Sequence, residues 1–241
     1  MSTILEVAGL SKTFGSLKVI DGFDFELAEG EALGIIGPNG AGKSTLFNLI
    51  TGSLQPNSGS IRFEGADITQ FPAYRRCRLG IGRSYQIPHP FGGMTVFENL
   101  LVGAAFGKNQ TEVQSYDACA RILDLTGLLE KSNVLAGQLT LLERKRLELA
   151  RALATNPKAL LLDEIAGGLT EPEIQELIQT IRIIRSENIS VIWIEHIVHA
   201  LMSVVDRLIV INFGKKLEDG DPETVIKSPE VQEVYMGIGI E

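Results

Sequence analysis

The sequence predicts an α/β fold: a mixed sheet packed by helices, with a small helical lobe inserted into it. Three observations predict this. Beyond about residue 139, short apolar runs alternate with helical segments, which implies parallel strands with helices on both faces. Near the start, the apolar run Ala32 to Ile36 leads straight into a Gly-rich loop and a helix. From Thr95 to about Leu129 the apolar spacing turns helical, at Val96, Leu100, Leu101, Ala118, Ile122, Leu123 and Leu125, within a lobe taken as about residues 88–139.

Taken in order, Ile4 to Leu10 and Val19 to Leu27 read as short strands, with turns expected at Phe14-Gly15 and Asp21-Gly22. Ala32 to Ile36 is a buried-type strand, and Leu46 to Ile50 continue as a helix. Ser60 to Phe63 and Ile81 to Tyr85 read as further strands. Residues 88–139 form the expected lobe within a single domain spanning 1–241. After it come a helix over Leu147 to Ala154, a strand over Ala159 to Leu162, and a helix over Pro172 to Arg185. Strands over Val191 to Ile194 and Leu208 to Ile211 close the series. The chain shows no internal repeat and no low-complexity tract.

Composition fits a globular chain with a full core: 44% hydrophobic and 22% charged residues over 241 positions. The net charge of -8 argues against a nucleic-acid partner, because phosphate recognition needs clustered Lys and Arg. Cys77 and Cys119 stand far apart in no metal-ligand spacing and read as reduced structural residues. The best membrane-span candidate, Ser190 to Phe213, is broken by Glu195, His196, Asp206 and Arg207. The start, Met1-Ser2-Thr3-Ile4, lacks a basic run before an apolar one, so no secretory signal is expected.

Two motifs carry chemistry. Gly37-Pro38-Asn39-Gly40-Ala41-Gly42-Lys43-Ser44-Thr45 is a full G-x-x-x-x-G-K-[ST] phosphate loop between a strand and a helix. Its glycines let backbone N–H groups close on phosphate oxygens, and the helix N-terminus adds partial positive charge. Lys43 is placed to reach the outer phosphates, and the Ser44 hydroxyl to ligate Mg²⁺. The second motif is Leu160-Leu161-Leu162-Asp163-Glu164, an apolar strand ending in two acids. Asp163 is expected to hold the metal's hydration shell and Glu164 to polarise an attacking water. Together they make the core that of a phosphate-loop NTPase.

Read together, these motifs resemble the ATP-binding-cassette ATPases, and the resemblance covers essentially the whole chain. It implies that Phe14 stacks on adenine, although an ordinary turn aromatic remains an alternative. It implies that Gln86, in Ser84-Tyr85-Gln86, links the metal site to the helical lobe and serves the metal. It implies that His196 contacts the γ-phosphate. Within the family the chain is most similar to the ATP-binding subunits of branched-chain amino-acid importers. That similarity rests on Gly80 to Gln86, Met94 to Leu100, Ile194-Glu195-His196, Phe213-Gly214-Lys215-Lys216, Gly220-Asp221-Pro222 and Val234-Tyr235-Met236-Gly237.

One segment departs from the family pattern. Where Leu-Ser-Gly-Gly-Gln should precede the Arg-Ala-Leu helix, this chain has Leu139-Thr140-Leu141-Leu142-Glu143. In the family this segment faces the nucleotide of an opposite subunit. Thr140 keeps a hydroxyl for that nucleotide, but two leucines replace two glycines and Glu143 brings a negative charge. Alternatively, Thr140-x-x-Glu143 is a capping box that simply starts the next helix. Thr170, where many relatives have Asp or Asn, is a smaller departure.

The resemblance implies an ATPase subunit that binds ATP and Mg²⁺ at the cytoplasmic face of the cell membrane. Its partners would be a second cassette subunit, identical or different, and integral-membrane permease subunits, with an external substrate-binding protein contacted indirectly. Pro88, Pro90, Phe91 and Met94 offer an apolar surface for the permeases, or else pack inside the lobe. The substrate would be branched-chain or related amino acids, with short amides and urea open. A soluble mechanical ATPase and a regulatory ATP binder with impaired turnover are the competing readings.

Overall fold

The computed structural model describes residues 2–108 and 111–236; Met1 and Gly237, cited above at the two ends, lie outside the described residues. The chain opens with β1 (Thr3–Phe14), β2 (Leu17–Ala28), β3 (Ala32–Ile36), α1 (Lys43–Thr51), β4 (Ser58–Phe63) and β5 (Ala66–Asp67). Next come α2 (Ala73–Leu79), β6 (Ile81–Ser84), α3 (Val96–Lys108) and α4 (Glu112–Leu125). The rest is α5 (Leu141–Ala154), β7 (Ala159–Asp163), α6 (Glu171–Ser186), β8 (Ser190–Ile194), α7 (Val198–Met202), β9 (Arg207–Asn212), β10 (Lys215–Gly220), α8 (Pro222–Ile226) and α9 (Pro229–Val231).

The strands build two sheets. An antiparallel sheet has the order β2-β1-β4-β5; a larger one has the order β10-β9-β3-β8-β7-β6. In the larger sheet β9, β3, β8, β7 and β6 run parallel, and β10 closes the edge antiparallel to β9. The α/β class and the mixed sheet expected from the sequence are therefore present. Every residue of β3, β7 and β8 is buried, as the unbroken apolar runs require of strands covered on both faces. Fully burying a Leu or Ile stabilises by about 1.5–3 kcal/mol over leaving it exposed, which holds these strands central.

Among the described residues, three apolar clusters make up the core. One lies between the sheets and around α1, with Phe23, Phe47 and Phe63. A second packs α5, α6 and α7 on the other face, around Trp193. The third joins α3, α4 and α5 through Leu100, Cys119, Leu123 and Leu147. Cys77 and Cys119 are free thiols, the latter buried.

The expected turn at Phe14-Gly15 joins β1 to β2, but the one expected at Asp21-Gly22 does not exist. Both residues lie inside β2. Leu10 pairs with Phe23 and Lys12 with Ile20, so the register shifts across them. Gly22, with φ of +62°, donates its N–H to Ser11 Oγ at 2.9 Å. A glycine after an aspartate signals a bulge as readily as a reversal, and here the strand continues.

Candidate active site at the strand ends

The chemistry-bearing residues gather at the C-terminal ends of the parallel strands, where open α/β sheets place their crevices. The phosphate loop leaves β3 and enters α1. At Gly37 a Cβ would stand 2.2 Å from the Ile211 carbonyl oxygen, so the loop passes β9 only without a side chain. Gly42 has φ of +110°, and a Cβ there would stand 2.8 Å from the Val19 carbonyl oxygen. It caps α1 without any side-chain hydrogen bond, leaving the first-turn N–H groups, which no helix satisfies internally, open to a ligand. Asn39, Gly40 and Ser44 are exposed, Pro38 and Thr45 half-buried, and Ala41 buried. Lys43 is buried and donates its ammonium to the carbonyls of Gly37 at 2.7 Å and Pro38 at 3.1 Å. Burial pushes this ammonium below the ordinary lysine range, against the pull of Glu164 and then Asp163.

Asp163 closes β7 and Glu164 follows it. The guanidinium of Arg83, on neighbouring β6, pairs with Asp163 Oδ2 at 2.6 Å and with Asn48 Oδ1 at 2.6 Å. Burial raises the Asp163 pKa, and Arg83 opposes that rise. Glu164 has a left-handed backbone, φ +47°, a conformation that costs a non-glycine residue about 1–3 kcal/mol. Its carboxylate accepts from Gln86 Nε2 at 2.5 Å and lies 2.7 Å from His196 Nε2. Lys43, Asp163, Glu164, Gln86 and His196, four segments apart in sequence, thus meet around one carboxylate pair.

Two expected site residues stand apart from this group. Phe14 ends β1 with its ring 46% exposed and the Lys12 ammonium 5.4 Å from the ring centroid. An exposed ring of this kind is available for stacking. Thr140 caps α5: its Oγ1 accepts the Glu143 N–H at 3.4 Å, and the Glu143 carboxylate accepts the Thr140 N–H at 2.9 Å. The same carboxylate is paired with Lys131, which draws its pKa down. The capping-box reading of the segment is therefore realised. Thr170 behaves alike, its N–H and hydroxyl both donating to Glu173 at 2.7 Å.

Among the described residues, no three or more His, Cys, Asp or Glu side chains cluster so as to enclose a metal ion. What the site offers is one buried carboxylate beside one exposed hydroxyl and an amide. That sparse oxygen set suits Mg²⁺, which keeps several waters and binds through one or two carboxylates plus substrate phosphates.

Comparison with known proteins agrees with this geometry. Residues 20–167 match the ABC transporter family. The chain belongs to that family. The high-affinity branched-chain amino acid transport ATP-binding protein BraF of Pseudomonas aeruginosa is 39% identical over 97% of this chain and 98% of its own length. LivG of Escherichia coli K12, which carries the same description, is 36% identical with the same coverage. The crystal structure of a nucleotide-free ATP-binding cassette from an ABC transporter matches with a TM-score of 0.89 and 32% identity, covering 99% of this chain and 100% of that one. The ADP conformation of the cassette MJ1267 matches with a TM-score of 0.90 and 30% identity, over the same shares of the two chains. The fold is that of an ABC ATPase.

Within this ABC cassette the structure adds residues to which sequence reasoning gave no role. Arg83 was visible as a charge inside the short strand Ile81 to Ser84, where only a buried partner tolerates it. Asn48 gave no signal, being one polar residue on an amphipathic helix. Glu195 and Lys145 are both buried charges, at 1% and 5% exposure. Only the fold shows that Glu195 accepts the Ala166 N–H at 2.6 Å, in the turn just after Glu164.

Proposed function

We propose that this chain is the ATP-hydrolysing, energy-coupling subunit of a membrane importer for branched-chain or related amino acids. The observation that carries the reading is Glu164, held by Gln86 and His196 beside the Lys43 loop. The substrate class rests on the relatives, BraF and LivG, described as high-affinity branched-chain amino acid transport proteins.

In this mechanism the N–H groups from Gly40 to Thr45 and the Lys43 ammonium bind the β- and γ-phosphates, while Phe14 stacks on the adenine. Ser44, Asp163 and Gln86 hold Mg²⁺, which when bound neutralises phosphate charge. Glu164 polarises the attacking water. Its two oxygens offer about four acceptor sites, so it can take the water's hydrogen while still held by Gln86 and His196. His196 then faces the γ-phosphate, and Gln86 relays the state of the site to the segment before α3. Positioning and charge neutralisation supply most of the acceleration.

The working unit is a pair of cassettes at the cytoplasmic face of the membrane, bound to permease subunits. Among the described residues no helix is long and apolar enough to cross a membrane, so membrane location needs those partners. The Leu139 to Glu143 segment favours a different cassette as partner over a second copy. Its glutamate is committed to the α5 cap and Lys131, and its leucines keep backbone N–H groups from close approach to phosphate. The nucleotide on this chain is then closed by the partner's intact segment and hydrolysed, while the other site turns over slowly.

The test compares Glu164→Gln here with the matching change in the partner, measuring ATP turnover of the assembled importer. Turnover should fall about 10²–10⁴-fold for the change in this chain and far less for the other. Equal losses would sink the asymmetric arrangement. Nucleotide binding with no turnover in any assembly would favour a regulatory ATP binder, the reading the altered segment keeps alive.

A further inference from the structure

From Tyr85 to Met94, between β6 and α3, the chain forms neither helix nor strand, so its backbone groups must find partners elsewhere. This segment carries Gln86, and its sequence, Gln86-Ile87-Pro88-His89-Pro90-Phe91, makes it stiff. Each proline fixes its own φ and keeps the residue before it extended, which restricts Ile87 and His89 as well. A hold on His89 is therefore transmitted to Gln86, whose Nε2 donates to Glu164 at 2.5 Å.

Two helices supply the hold. On α3, Asn99 is fully buried; its Oδ1 accepts the Phe91 N–H at 2.9 Å, and its Nδ2 donates to the carbonyls of Phe91 at 3.2 Å and Thr95 at 2.9 Å. Asn99 stands only 8 positions after Phe91, so it fastens the segment to the helix that follows it. Arg151 of α5 reaches across the molecule. Its Nη1 donates to the carbonyl of His89, 62 positions away, at 3.0 Å, and its guanidinium lies 5.0 Å from the centroid of the Phe91 ring. The same Nη1 pairs with Oε2 of Glu148 at 3.0 Å, one turn earlier on α5. Glu148 is only 6% exposed, so its carboxylate is fixed in place and aims the guanidinium at the segment. A hydrogen bond from a charged donor is roughly twice as strong as a neutral one, which makes Arg151 the firmer of the two fastenings.

We propose that Arg151, aimed by Glu148, is a positioning residue for ATP hydrolysis: it fastens the stiff Ile87 to Pro90 run to α5 and so keeps the Gln86 amide on the Glu164 carboxylate. This rests on the ATPase reading above. It makes α5, whose first turn lies toward the partner cassette in that reading, part of the hold on Glu164.

The test uses the assembled importer with Arg151→Met, Arg151→Lys, Gln86→Ala and the Met/Ala double variant. Arg151→Met should lower kcat about tenfold with KM for ATP within about twofold. Both bonds leave one nitrogen and not a two-pronged fork, so Arg151→Lys should restore most of the rate. The double variant should fall no further than the worse single, since both changes remove the same hold. Amide exchange at Phe91, measured without nucleotide, should quicken in Arg151→Met and stay near wild type in Arg151→Lys. Should Arg151→Met not fold, Arg151→Gln is read in the same assays. A merely structural Arg151 would lower the melting temperature while kcat per folded assembly stayed at the wild-type value, and that result overturns the proposal. Unchanged Phe91 exchange in Arg151→Met, or a loss of rate that adds to that of Gln86→Ala, overturns it too. A wild-type assembly with no ATP turnover sinks the ATPase reading, and Phe91 exchange still judges the hold.

Discussion

Arg83 and Asp163 are each only 7% exposed in their side chains, so neither charge is solvated by water alone. The guanidinium also lies over the rings of Phe47 and Tyr85, 5.5 Å and 4.7 Å from their centroids, which fixes its direction. Removing one member of such a pair leaves an uncompensated buried charge, a loss of about 3–5 kcal/mol. Arg83→Met should therefore lower the melting temperature by about 6–20 °C, at 2–4 °C per kcal/mol for a chain this size. Adding Asp163→Asn should restore part of that loss, because the orphaned charge goes with it. A fall of less than about 2 °C would show that Asp163 is not held as an ion by Arg83. At this scale the sequence singled out Lys43, Asp163 and Glu164 by types and spacing that phosphate chemistry favours, and the fold sets them side by side. Arg83 serves another protein group, and its partner Asp163 is 80 positions away. Local pattern cannot express pairings of that separation.

Among the elements, α5 shows how one stretch can satisfy folding while departing from a family pattern. Its start at Leu141, six positions ahead of the Leu147 where apolar spacing alone begins it, is set by the Thr140–Glu143 box. The polar first turn hides that start from a periodicity count. Losing such a cap costs about 0.5–2 kcal/mol, so Thr140→Ala should lower the melting temperature by about 1–8 °C. Thr140→Ser should stay near wild type. If Thr140 serves the cap alone, nucleotide turnover per folded assembly should be unchanged in Thr140→Ala; a turnover loss without a stability loss would return the hydroxyl to the nucleotide. The central strands were legible because burial on both faces leaves an unbroken apolar run, as in Leu160-Leu161-Leu162. The elements that escaped, β5, α2, α7, β10, α8 and α9, are short or exposed on one side. In β10, Lys215 to Gly220 contains no run of apolar residues; its ladder with β9 makes it a strand, and Arg207 of β9 also grips Asp219 through Nε at 2.6 Å and Nη2 at 2.8 Å.

For the molecule as a whole, the proposed importer role raises the question of what would bring an acidic chain to a membrane. A net charge of -8 opposes attraction to anionic headgroups, since that binding draws on clustered Lys and Arg. The apolar surface is the alternative. Tyr85, Ile87, Phe91 and Phe106 are 48%, 64%, 45% and 73% exposed, whereas Pro88, Pro90 and Met94, expected in the same surface, are half-buried. Tyr85 and Val102 line one groove, and Val102 and Phe106 line the next, so the Gln86 segment and α3 present one continuous face. Gln86, which donates to Glu164, stands between Tyr85 and Ile87 and connects that face to the carboxylate. A permease element seated there would feel the nucleotide site across a single residue. Ile87→Asp and Phe106→Asp should release the chain from membranes that contain the permeases, while nucleotide affinity stays within about twofold, because neither side chain touches the phosphate loop. Vesicles of anionic lipid lacking permeases should retain no chain, wild type or variant. Retention on such vesicles would mean that lipid holds the molecule, and loss of nucleotide binding in the Asp variants would mean that the face is part of the cassette's own packing.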